Sequence, residues 1–84
     1  MKILKFSSDY CMPCKNLAKQ LENTDLPIIN YNVDTDEAEP FIDKYNIRNV
    51  PVLVFVDDNG NELKRLVGAI SKQVVIDTYN QLND

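Results

Sequence analysis

The stretch DYCMPCK, residues 9–15, holds the only two cysteines of the chain, Cys11 and Cys14, with Met12 and Pro13 between them. Upstream, KILKF (residues 2–6) is short and apolar enough for a strand that starts almost at the first residue. Downstream, Leu17, Ala18 and Leu21 recur at helical spacing, with Lys15, Lys19, Gln20 and Glu22 on the other face, which predicts a helix from Cys11 to about Asn23. Pro13 suits the first turn of that helix, where a missing N–H costs nothing. The cysteines therefore sit where a strand hands over to a helix. Three readings of the pair follow: a static disulfide, a metal clip, or a redox reagent. A metal site needs four ligands, and the chain has no histidine and no third cysteine, so a clip requires a second subunit. As a staple the pair gains little, because closing so short a loop is worth about 2 kcal/mol.

The compartment bears on this choice. Charge and serines interrupt MKILKF before a signal-peptide core can form, and no apolar run approaches the length of a membrane helix. A cytoplasmic, reducing setting is the expectation, and there paired cysteines are more often catalytic or metal-binding than structural. Thirteen acidic against nine basic side chains give a net charge of −4, which favours solubility and disfavours nucleic acid. A chain of 84 residues with 44% hydrophobic content is long enough for one small core, so residues 1–84 are expected to form a single domain.

The remaining elements fall in order. LPIINYNV (26–33) reads as a second strand. DTDEAEP then opens a short helix that carries Phe41, Ile42 and Tyr45 and ends near Asn46, with Asp36 and Glu39 spaced as a capping box. PVLVFV (51–56) is a continuous apolar run, as expected of a central strand covered on both faces. Asn59-Gly60 signals a hairpin, and ELKRLVG after it alternates like a half-exposed strand. Ser71 caps a last helix with Val74, Val75, Tyr79 and Leu82 on its apolar side. The pattern β-α-β-α-β-β-α predicts an α/β fold: a four-stranded mixed sheet flanked by helices and joined by right-handed crossovers.

A C-x-x-C between a strand and a helix within a βαβ pattern reads as a thioredoxin-like redox motif. The chain resembles the thioredoxin family there, in Tyr10 before the first cysteine and in Pro13-Cys14-Lys15 after it. The resemblance continues in KYNIRNVP (44–51), Asn59-Gly60 and VGAISK (67–72), and so spans nearly the whole sequence. Familiar thioredoxins carry an extra N-terminal strand and helix that this sequence lacks, so its size is similar to that of glutaredoxins and shortened thioredoxin-like proteins. Tyr10 stands where tryptophan is usual, Met12 where glycine is, Lys5 where a buried aspartate is, and Asn30 where that aspartate's lysine partner is.

The resemblance implies a thiol-disulfide oxidoreductase that reduces protein disulfides, with Cys11 as nucleophile and Cys14 as resolving thiol. Val50-Pro51 would be the family's cis-proline, and Tyr10, Met12, Pro13, Val50, Pro51, Gly68 and Ala69 a flat apolar docking surface. No bound cofactor is implied beyond the Cys11–Cys14 redox disulfide, and the chain is expected to be a monomer. Thioredoxin reductase is the implied electron donor, with glutathione as the alternative if the chain is a glutaredoxin. Disulfide-containing client proteins, ribonucleotide reductase among them, are the implied recipients. A non-catalytic client-binding module or a metal-bridged dimer is the rival from another class. Lys5 alternates with Ile3 on one strand face. Its side chain either runs out to water or stays inside, where it would tune the thiols.

Overall fold

The computed structural model describes residues 1–83. Its elements are β1 (Lys2–Ser7), α1 (Met12–Gln20), β2 (Ile28–Asn32), a 3₁₀ turn (Asp36–Ala38), α2 (Glu39–Tyr45), β3 (Val52–Val56), β4 (Glu62–Val67) and α3 (Lys72–Leu82). They form one sheet of order β2-β1-β3-β4, in which β1 runs parallel to β2 and antiparallel to β3, and β4 is antiparallel to β3.

Alternation along the two interior strands divides the apolar side chains between two cores. Ile3, Leu53 and Phe55 meet Leu17 of α1, Leu21 just after it, Ile70 just before α3 and Val75 within α3. Leu4, Phe6, Val52, Val54 and Val56 face the other way, against Tyr45 at the end of α2 and Ile47 just beyond it. Every residue of β3 is buried, as its unbroken apolar sequence requires. The edge strand β4 is largely exposed and carries Lys64 and Arg65, which suit an unpaired edge.

Several expected details differ. Asp36 and Glu39 form no capping box: Thr35 is the N-cap of the turn and Ala38 that of α2, and neither makes a side-chain cap hydrogen bond. The acidic run is spent on a separate 3₁₀ turn, and Pro40 can only open the helix that follows. In the β3–β4 hairpin the tight turn centres on Asp58-Asn59, one residue earlier than the Asn-Gly pair suggests. Gly60 N–H donates to Asp57 O, and Asp57 N–H to Asn61 O. Gly60 follows with φ +82°, a left-handed conformation that glycine adopts without steric cost. Val74 is not in the core. It is 46% exposed because α3 turns Val75 inward.

The end of α2 is held from two sides. Tyr45 donates its hydroxyl to Gly60 O at 2.6 Å, and the Arg65 guanidinium donates to Tyr45 O while binding both oxygens of Glu62. Asn46 leaves the helix in the left-handed region (φ 52°), and the chain proceeds to Val50-Pro51.

At the start of α3, Ser71 Oγ accepts from Val74 N–H at 3.3 Å. Ser71→Ala removes this cap and should cost about 1 kcal/mol, read as a lower urea midpoint with an unchanged m-value.

Candidate active site

The turn after β1 delivers Cys11 in an extended conformation (φ −103°, ψ 107°) as the N-cap of α1. Its sulfur accepts a hydrogen bond from Cys14 N–H at 3.1 Å, the place a serine or aspartate oxygen takes in an ordinary cap. Cys11 O accepts from Lys15 N–H at 3.1 Å. The first turn of α1 contains no acidic residue, so the positive end of the helix at this sulfur is not offset from within the helix. Pro13 occupies that first turn, as the sequence predicts.

Cys14 is one turn further in and only 3% exposed, whereas Cys11 is half-buried. The two are joined as a disulfide with their Cα atoms 5.2 Å apart. Asp9 accepts from the Asn32 side-chain amide at 3.0 Å, which ties the turn before Cys11 to the end of β2. A groove of about 170 Å³ lined by Ser7, Ser8, Asp9 and Cys14 leads toward the inner cysteine.

The residues expected to dock substrates do not all lie at the surface. Tyr10 is 94% exposed and Met12 64%, and Pro13 and Ala69 are also open. Val50 and Gly68 are half-buried. The Val50–Pro51 peptide is cis, and Pro51 O accepts from Gly68 N–H at 3.1 Å, with Gly68 at φ +89°. The Pro51 ring itself is buried, so it is not part of an exposed apolar surface: it leads directly into the interior strand β3, which is covered on both faces.

Pro13 and Ala69 face each other across a groove of about 300 Å³ whose other walls are Asn16, Gln20, Ile70 and Ser71. Gln20 Oε1 accepts from Lys72 N–H at 2.9 Å and so joins the end of α1 to the start of α3. Sequence reading missed Asn16, Gln20 and Ser71 as groove residues. No local pattern links positions 52 apart.

Lys5 lies on the α1 side of β1 and is 7% exposed, with Asn30 and Leu53 as its register neighbours. It lines a cavity of about 260 Å³ with Ala18, Glu22, Thr24 and Asn30, and no side-chain hydrogen bond or ion pair to it is found among the described residues. Desolvation pushes its ammonium pKa down from the ordinary lysine value. Ala18 also borders the groove at Cys14, so the two spaces share one lining residue.

Comparison with known proteins agrees with this architecture. Thioredoxin-1 of Caenorhabditis elegans is 36% identical over 75 residues, covering 86% of this chain and 64% of that protein. Thioredoxin H5 of Oryza sativa subsp. japonica is 32% identical over 84 residues, covering 96% and 61%. The chain thus spans less than two thirds of either relative. Among solved structures, a single-residue mutant of a thioredoxin from Halobacterium salinarum superposes with a TM-score of 0.82 at 27% identity, covering 98% of this chain and 74% of that one. Thioredoxin 1 of Thermosipho africanus gives 0.76 at 27% identity, covering 98% and 93%. The family model described as Thioredoxin matches residues 1–81, which takes in both cysteines, the cis-proline and all four strands, and the chain belongs to the thioredoxin family.

Proposed function

We propose that the protein is a thiol-disulfide oxidoreductase that reduces disulfides in client proteins, with Cys11 as nucleophile and Cys14 as resolving thiol. The observation that carries this reading is the hydrogen bond from Cys14 N–H to the Cys11 sulfur at the tip of α1. A backbone donor and the helix dipole both favour a thiolate, which is the attacking species in disulfide exchange.

The reaction runs in two displacements. The Cys11 thiolate attacks one client sulfur: a Cys11–client bond forms, the client disulfide breaks, and the departing client sulfur takes up a proton. Cys14 then gives up its proton and attacks Cys11. The Cys11–Cys14 bond forms, the mixed disulfide breaks, and the second client sulfur leaves as a thiol once protonated. Two electrons pass from the dithiol to the client. The client chain docks against Tyr10, Met12, Pro13, Val50, Gly68 and Ala69, while Pro51 holds the backbone of Val50 from beneath.

Residues 1–84 act in this reading as one domain, a cytoplasmic electron carrier recharged by an NADPH-dependent thioredoxin reductase. Its clients are disulfide-containing proteins, with ribonucleotide reductase among the candidates. The test supplies oxidised protein with NADPH and thioredoxin reductase in one arm and glutathione in another, while reduction of a test protein disulfide is followed. NADPH consumption matched to client reduction is expected in the first arm. Absence of reduction in both arms overturns the reading.

Lys5 acts on this chemistry through charge. An ammonium beneath α1 with no carboxylate paired to it favours the thiolates and so stabilises the reduced form. Lys5→Met should raise the thiol pKa and make the reduction potential more negative; no change in either removes the role. The same burial has a stability signature. Because the folded-state pKa lies below the unfolded value of 10.5, the unfolded chain binds more protons between the two. Wild-type stability should therefore rise with pH across that window. The Lys5→Met variant should lack this rise, which denaturation at a series of alkaline pH values would reveal.

A further inference from the structure

We infer that Asp9 takes the proton that Cys14 releases in the second displacement, an inference that rests on the reductase activity proposed above. That step asks a residue only 3% exposed to give up its thiol proton as it attacks Cys11. Burial opposes ionisation of a thiol, so an acceptor within reach of the sulfur speeds the step. The groove of about 170 Å³ at Cys14 is where such an acceptor has to stand, and its other walls are Ser7, Ser8, Asp9, Lys15 and Ala18. Among the described residues, Asp9 is the one carboxylate in that lining. Serine hydroxyls can pass a proton on but not keep one, and a lysine ammonium has no lone pair to receive it.

Asp9 is held in place for this task. Ser7 is the register neighbour of Asn32, so the end of β2 lies beside the turn that carries Asp9. Asn32 donates its side-chain amide to Asp9 Oδ1 at 3.0 Å, while its own Oδ1 accepts from Asp34 N–H at 2.9 Å. With both ends of the amide engaged, one oxygen of Asp9 is fixed. No hydrogen bond to Asp9 Oδ2 is found among the described residues, so that oxygen is left to accept. Asp9 is also exposed, and its carboxylate therefore joins the groove to bulk water. A groove of this size and polarity has room for water to bridge thiol and carboxylate. Of the other charged groups, Lys15 lines the same groove, Lys5 and Glu22 line the cavity that shares Ala18, and Asp34 meets Asn32 through its backbone.

The step balances. The Cys14 S–H bond breaks and its proton passes through water to Asp9, while the Cys14 sulfur bonds to Cys11. The Cys11–client bond breaks, and its electron pair stays on the client sulfur, which is protonated from solvent. Asp9 then loses its proton to bulk water and is ready for the next turnover.

The test compares the reduced full chain with its Asp9→Asn variant in single turnovers of a disulfide-linked client, with mixed disulfide and released client separated by acid quench and intact mass. Asparagine keeps an oxygen for the Asn32 amide, and position 9 is exposed, so the fold is retained. Near neutral pH the mixed disulfide should resolve about 10²-fold more slowly in Asp9→Asn, the low end for a positioned base. The first displacement, read as adduct formation in a Cys14→Ser background, should change by no more than about threefold when Asp9→Asn is added. Raising the pH should close the gap in resolution, because hydroxide then takes the proton in either protein. Equal resolution rates near neutral pH, or a gap that stays constant as the pH rises, overturns the role of Asp9. A wild-type protein that forms no mixed disulfide overturns the reductase activity itself, and the role of Asp9 with it.

Discussion

Cys11→Ser should lower the rate of client reduction by on the order of 10³-fold or more and leave no covalent adduct, whereas Cys14→Ser should stop turnover while trapping the client on the protein. The difference follows from where α1 puts the two sulfurs. Cys11 is accessible and accepts a backbone N–H at the helix tip, whereas Cys14 is inside the first turn and only 3% exposed. A serine hydroxyl at position 11 stays protonated at neutral pH, so the first displacement does not begin. A serine at position 14 leaves that displacement intact and removes the second, so the mixed disulfide accumulates. Non-reducing electrophoresis and intact mass, with one equivalent of client disulfide, read the outcome. A trapped adduct with Cys11→Ser and none with Cys14→Ser would exchange the two roles.

Phe55→Ala should destabilise the protein by about 3–5 kcal/mol, among the largest costs a single side chain can carry. Phe55 is fully buried on β3 and packs with Ile3, Leu17, Leu53 and Val75, so its removal opens a hole between the sheet and helices α1 and α3. In a domain of this size each kcal/mol lowers Tm by roughly 4–8 °C, which puts the expected fall at about 12–40 °C. Val74→Ala serves as the contrast, because that side chain is exposed on the outer side of α3 and should change stability by no more than about 0.5 kcal/mol. Calorimetry of the two variants decides it. Equal effects would mean that the helix presents a different face to the sheet.

Much of the fold was legible because its signals are local. Apolar side chains every third or fourth position, Pro13 and Pro40 at helix starts, Ser71 as a cap, and the all-apolar β3 each report on a few neighbouring residues. Errors gathered where two local signals competed. The Asn-Gly pair marked the hairpin, yet the turn settled one residue earlier, which lets Gly60 alone take the positive φ. Asp36 and Glu39 had the spacing of a capping box, but the segment divided into a 3₁₀ turn and a helix that begins at Glu39. Val74 and Val75 are equally apolar, and helical periodicity alone did not say which of two adjacent positions meets the sheet.

The site divides in the same way. Cys11 and Cys14 on a helix start are determined by sequence alone, since strand, proline and helix pattern all lie between Lys2 and Gln20 and the reacting geometry is that of one helical turn. The tertiary structure decided what surrounds them. It buried the Pro51 ring beneath the chain it was expected to join at the surface, placed Lys5 in an interior strand with no ion pair to it among the described residues, and joined Gln20 to Lys72 across 52 residues of sequence. Burial and pairing of this kind depend on which segments the sheet order brings side by side. That order is a property of the whole chain packing at once, so no window of neighbouring residues contains it.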